Sequence, residues 1–366
     1  MPESANFPEA FGNSWAEFIE EWCLGVPPAT SPEECIRALH ALLHHWPEHA
    51  QTLIAAQTRG LAVVANAIDM GLILADTANL PGVGHVLSRL RAGERSTFSE
   101  LAVAAVLLRL GFSPALGMPA GQKVPDLALT VRTTTVYTEV IAPDRGQIEK
   151  DAIDKITTIA SSLLAVATGA NVELFLDCDL ENLDIALLTS AVADASFTDQ
   201  PIELPSFGRI LKRPFSFPPV VSPSIASGTP RTVLGAARSV VDGTSGALVA
   251  VRVAVFDGRA KRLLTAELHH LPKSNPNIVV INAGNVPGGI NDWVPVLRNC
   301  FQPTRNTRIS AILLYQTGVL GNPLDVHRAW QMLVNKFAAN PLPAELLDAL
   351  SKLPTKWPIE AAQPIT

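Results

Sequence analysis

The chain has 366 residues, 48% of them hydrophobic and 17% charged, and a formal net charge of −6. That much apolar surface excludes a disordered or collagen-like chain, and the length suits two domains or one enlarged domain with an appended region. The acidic balance argues against general nucleic-acid affinity, which draws most of its energy from neutralised phosphates.

The four cysteines, Cys23, Cys35, Cys178 and Cys300, show no CxxC spacing, so they form neither a zinc knuckle nor a dense disulfide framework, and a reducing compartment fits best. Glu3 and Glu9 stand where a secretion signal would want a basic patch and an apolar run, so the expected location is cytoplasmic. The uncharged run from Ile156 to Val172 is broken by threonines, serines, Gly169 and Asn171 and falls short of ~20 apolar residues, so no membrane span is expected.

In chain order, residues 12 to about 95 read as helical. Trp15, Phe18, Ile19 and Trp22 follow helical spacing, and Ser31-Pro32-Glu33-Glu34 is a helix start with proline at its first position. A helix from Thr97 to Arg109 stops at Gly111. Two strands follow, in which Leu127, Leu129 and Val131, then Val136, Thr138 and Val140, alternate with residues of the opposite face. A long amphipathic helix after Pro143 feeds a strand at 172–176, reading as a strand-helix-strand crossover onto the same sheet. A helix near 181–195, a proline-rich loop at 197–231 and a hairpin of 232–241 with 247–256 come next. The chain closes with helix 258–270, strand 277–283, helix 291–301, strand 309–315 and helices to about 352.

Placing the turn on Arg132, Thr133 and Thr134 gives a hairpin in which the residue numbers of facing pairs sum to 265, so that Asp126 faces Glu139. Facing carboxylates repel unless a cation sits between them. A divalent metal reverses that penalty: Mg²⁺ takes one or two carboxylates and keeps waters and phosphate oxygens in its other positions.

Pro125-Asp126, twelve intervening residues and Glu139-Val140, after a helix with Glu100 and before an amphipathic helix and a strand, together resemble the PD-(D/E)xK nuclease superfamily. The resemblance implies a restriction-endonuclease-like α/β fold, a mixed sheet flanked by helices. It also implies Mg²⁺ (or Mn²⁺) held by Asp126, Glu139 and the main-chain carbonyl of Val140, with Glu100 completing the acidic cluster and metal-activated water attacking a phosphodiester. The pattern's lysine, two residues after the glutamate, is Ile141 here, which can neither orient water nor offset charge. Replacement amines are Lys155 and Lys150 on the following helix and Lys123 before Pro125. Lys155 is preferred because it borders the apolar face of its helix.

Simpler readings stand beside these. Thr97-Phe98-Ser99-Glu100 is also a capping box, and Asp126 is also a turn residue at a strand start. Glu139 is harder to explain away, because a carboxylate inside a strand of apolar neighbours needs an exposed edge or a partner. The pairs His40 with His44 and His45 with His49 lack the Glu of HExxH and read as polar helix surface, as do His269-His270.

The expected organisation is a helical N-terminal region (1–95), a restriction-endonuclease-like domain (96–320) with a proline-rich and β-hairpin insertion at about 197–256, and C-terminal helices (321–366). The expected function is Mg-dependent phosphodiester hydrolysis by Asp126, Glu139, Glu100 and Lys155. Nucleic-acid phosphates would contact residues 201–320, which carry 13 basic and 5 acidic side chains. The alternative is an inactive descendant of that fold that binds a protein or nucleic acid.

Overall fold

The computed structural model describes residues 30–50, 61–121, 123–143, 147–178, 180, 182–215, 232–242, 245–254, 259–285, 289–320 and 325–355. The chain divides into two compact units, one of residues 1–143, 261–284 and 297–366, the other of residues 144–260 and 285–296. The expected helix through Trp15 and Trp22 lies outside the described residues.

The first unit opens with three helices, α1 (Pro32–His45), α2 (Leu61–Thr77) and α3 (Val83–Arg91). The start of α1 is a complete capping box: Ser31 Oγ accepts from the Glu34 amide and Glu34 Oε2 accepts from the Ser31 amide. The helix α4 (Phe98–Arg109) follows. The strands β1 (Ala115–Leu116), β2 (Leu127–Val131), β3 (Thr134–Ile141), β9 (Asn277–Asn282), β10 (Ala311–Leu320) and β11 (Asp325–Val334) form one six-stranded sheet in the order β1-β2-β3-β9-β10-β11. β3, β9 and β10 run parallel, and the other pairs are antiparallel.

Period-two alternation decides which side of the sheet each residue faces. Leu127, Leu129, Val131, Val136, Ile278, Val280, Leu313 and Tyr315 join one core with Leu39, Leu42, Leu101 and Leu107 of the helices and with Leu346 and Leu350 of α9 (Ala344–Ser351). The N-terminal helices therefore share a core with the sheet. Glu139 and Ile141, of opposite parity to Val136, face the other way, as do the buried Val279, Ile281, Ile312 and Leu314.

In the second unit, β5 (Ile202–Leu204), β6 (Gly208–Pro214), β4 (Ala170–Leu176), β8 (Ser245–Ala254) and β7 (Thr232–Asp242) form a five-stranded sheet in that order. Helix α5 (Gln147–Leu163) packs on β7 and β8, and α6 (Ile185–Asp194) contributes Leu188 and Val192 to the core around Val172, Leu174, Ile210 and Val251. Helix α7 (Ala260–Glu267) belongs to the first unit from Lys261 on, and α8 (Gly289–Arg298) belongs to the second as far as Val296.

The architecture is mixed α/β, with helices flanking mixed sheets, as expected. Three expectations are corrected. The strand at 170–176 pairs with β6 and β8 of the second sheet, and the strand that lies parallel to β3 is β9, more than 130 residues later in the chain. The proline-rich stretch holds two paired strands, β5 and β6, because Pro201 and Pro205 flank β5 and Pro214 ends β6, leaving the paired residues between them free to bond. Residues 216–231 of that stretch lie outside the described residues. Finally, 325–334 is a strand paired along its length with β10, where helices were expected.

Candidate metal centre

The hairpin of β2 and β3 has the expected register: Leu127 faces Thr138 and Val131 faces Thr134, pairs that sum to 265. Its tight turn holds Arg132 at φ 55°, a left-handed conformation that L-residues adopt at a cost. Continuing that register by one residue places Asp126 opposite Glu139. Asp126 Oδ2 accepts a hydrogen bond from the Val140 amide at 2.8 Å, closing the open end of the hairpin. The two carboxyl groups also interact, an interaction that favours the neutral acid at Glu139 and the charged form at Asp126.

Three further elements bring polar groups to this point. Glu100 is buried in the first turn of α4, and its Oε1 lies 3.2 Å from an Arg89 guanidinium nitrogen. The alternative reading of Glu100 as a capping residue is corrected: Thr97 makes no side-chain cap and donates its hydroxyl to the Glu94 carbonyl instead. The Arg89 Nε also donates to Glu94 Oε2 at 2.9 Å. Helix α3, which carries Arg89, is seated by Gly82 at φ 82°, where a Cβ would stand 1.9 Å from the Leu116 carbonyl oxygen. Only glycine fits that approach.

The third contribution comes from the end of α7 and the turn after it. His270 Nδ1 lies 3.1 Å from Glu267 Oε2 and 3.8 Å from Glu139 Oε1. The loop into β9 is pinned by Asn277, fully buried, whose side-chain amide donates to the carbonyls of Pro272, Asn275 and Arg308. Arg308 in turn donates to the Leu268 and Leu271 carbonyls. The expectation of His270 as polar helix surface left out this role. Its only local signal was the i, i+3 spacing to Glu267, and nothing local ties that pair to a strand more than 120 residues earlier.

The electrostatics follow from burial. Glu139 is 3% exposed. Desolvation, then the Asp126 charge, pushes its carboxyl up to about 10. Desolvation and Asp126 likewise push Glu100 to about 8, with Arg89 pulling the other way. Asp126 is raised by burial and partly held down by the Val140 amide. Glu139 Oε1 has no hydrogen-bond partner, because His270 Nδ1 at 3.8 Å is beyond hydrogen-bond reach.

Asp126, Glu139, Val140 and Glu100 thus stand together in the first unit. Lys155 and Lys150 are on α5 of the second unit, with Lys150 exposed. Lys123 exchanges backbone hydrogen bonds with Ala120. Ile141, in the position of the motif lysine, is 5% exposed. The residues of the basic stretch are divided between the units, and some are spent internally: Lys212 is buried and donates to the Val192 and Ala193 carbonyls at the end of α6. Among the described residues, no helix is long and apolar enough to cross a membrane. No protein-family model, curated protein or solved structure matches this chain.

Proposed function

We propose that the carboxylate cluster of the first unit is a divalent-metal site and that the chain is a metal-dependent phosphodiesterase acting on nucleic acid, of the PD-(D/E)xK kind its motif resembles. The observation that carries the reading is Glu139: a carboxylate 3% exposed, facing Asp126, with one oxygen unpartnered. Buried carboxylates are normally paired or bound to metal, since an uncompensated charge there costs several kcal/mol or more. The donor set fits a hard divalent cation such as Mg²⁺ or Mn²⁺: oxygens from Asp126 and Glu139, the Val140 carbonyl beside them, and Glu100 close by. When bound, such an ion supplies Lewis-acid stabilisation of a phosphodiester and lowers the pKa of its water.

The chain's own residues have separate tasks in this reading. The Val140 amide orients Asp126, and Arg89 balances Glu100. The exposed Lys261, Arg262, Arg298 and Arg305, in the same unit as the carboxylates, are the candidates for phosphate contacts. Ile141 favours a second reading. Its burial puts an apolar side chain where the pattern has an amine, which suits a scaffold that binds a partner without cutting it.

Calorimetric titration of EDTA-stripped protein with Mn²⁺, beside Asp126→Ala and Glu139→Ala, separates the two. Stoichiometric binding lost in both variants supports the metal site and leads to a cleavage screen on single- and double-stranded DNA and RNA. Absence of binding in the wild type discards the enzyme reading in favour of the binding module.

A further inference from the structure

Glu139 Oε1, the buried oxygen without a hydrogen-bond partner, lies beside a second set of donors. Glu139 Oε1, Glu267 and His270 Nδ1 bring their ligand atoms within 4.8 Å of one another. The separations from His270 Nδ1, 3.1 Å to Glu267 Oε2 and 3.8 Å to Glu139 Oε1, are close to those of neighbouring ligands on one ion, which with bonds of ~2.1 Å stand ~3.0–3.5 Å apart. The buried, unpartnered Oε1 of Glu139 is the independent sign of a missing ligand. His270 is 59% exposed at its side chain, so the position opens to solvent on one side, as sites with three protein ligands and a water do.

We propose that Glu139, Glu267 and His270 form a mixed imidazole–carboxylate position for a transition-metal ion of the Mn²⁺-to-Zn²⁺ series, which the site takes in preference to Mg²⁺. This rests on the metal-site reading above and adds to it the class of ion. An imidazole nitrogen is a poor ligand for Mg²⁺ and a good one for the later first-row ions, whose affinities rise along the series. Glu139 bridges the two donor sets, facing Asp126 through the hairpin register and His270 through Oε1. The position is held by separate elements, β3 on one side and the end of α7 on the other.

The probe is Co²⁺ on the EDTA-stripped full-length chain, read by visible absorption, with Mg²⁺ titrated in parallel. His270→Ala, Glu267→Gln and Asp126→Ala are compared with the wild type, and thermal unfolding checks that each variant is folded; exposure of His270 makes its variant the safest. The expected result is a ligand-field band in the wild type that loses intensity in His270→Ala. Co²⁺ affinity falls ~10-fold or more in His270→Ala and Glu267→Gln, while Mg²⁺ affinity changes less than ~2-fold. Wild-type Co²⁺ affinity and spectrum in His270→Ala overturn the inference; if Asp126→Ala still abolishes binding, the carboxylate-pair reading stands alone. Loss in His270→Ala with none in Asp126→Ala supports the mixed site and removes the carboxylate pair. No Co²⁺ binding by the wild type overturns both.

Discussion

At Glu139 three influences act in one direction: burial, the Asp126 carboxyl and the nearby Glu267 and Glu100 charges all favour the neutral acid. The folded metal-free protein therefore holds protons that the unfolded chain releases. Glu139 at about 10 and Glu100 at about 8 both lie above the ordinary carboxylate value of 4.5, so their contribution to stability is complete below about pH 4.5. It declines as pH rises, through about 8 for Glu100 and about 10 for Glu139. The slope approaches ~1.4 kcal/mol per pH unit for each group that ionises only on unfolding. Urea unfolding of the EDTA-treated protein is expected to show a falling midpoint from about pH 5 to about pH 9. Glu139→Gln, which cannot ionise, is expected to flatten that fall and to exceed the wild type at the alkaline end; an unchanged slope in the variant would mean that Glu139 is ionised in the fold. The same protons bear on metal binding, because carboxyl ligands give them up to the ion. Mn²⁺ titrations of the wild type at neutral pH in buffers of different ionisation enthalpy are expected to show net proton release; a binding heat that does not vary with the buffer would mean that the ligands are already ionised.

Local patterns reveal the part of the site that neighbouring strands build and hide the part that distant elements supply. Asp126, just before β2, and Glu139, on β3, flank a hairpin closed by a tight turn, so alternation and a polar turn set their pairing without any long-range contact. His270 reaches them only because β9 pairs with β3, and no local pattern announces that choice. The same reason accounts for β11: Ala329, Trp330 and Leu333 are buried at spacings a helix would also give, and the pairing with β10 decides the matter. Glu100 was ambiguous because a capping box and a charged partner ask for the same residue at the same position, and Arg89 is eleven residues away on another helix. The loop between α7 and β9 is tied down by Asn277, whose side-chain NH2 serves the Pro272, Asn275 and Arg308 carbonyls with two N–H groups. Asn277→Ala removes both N–H donors from this group of carbonyls and is expected to cost ~2 kcal/mol in urea unfolding. Because that loop presents His270, the variant is also expected to bind Co²⁺ more weakly; full Co²⁺ affinity in a destabilised Asn277→Ala would show that the loop does not position the histidine.

At the scale of the molecule, each unit has its own apolar core, one built on β2, β3, β9 and β10 with the N-terminal helices, the other on β4, β6 and β8 with α5 and α6. The carboxylates, Arg89, Glu267 and His270 belong to the first, together with its sheet. A ligand that binds only the folded form of one unit stabilises that unit by RT ln(1 + [L]/Kd), ~2.7 kcal/mol at a hundredfold excess over Kd. Two cores of this kind lead us to expect calorimetric unfolding in two transitions, with a calorimetric enthalpy above the van't Hoff value. Mn²⁺ is expected to raise only the transition of the unit that holds the site. Leu174→Ala empties a fully buried position in the other core, and a loss of ~2–5 kcal/mol there should lower only the transition that Mn²⁺ leaves in place. If both treatments move a single common transition, the two cores unfold as one cooperative body, and a metal bound at Glu139 then stabilises the whole chain.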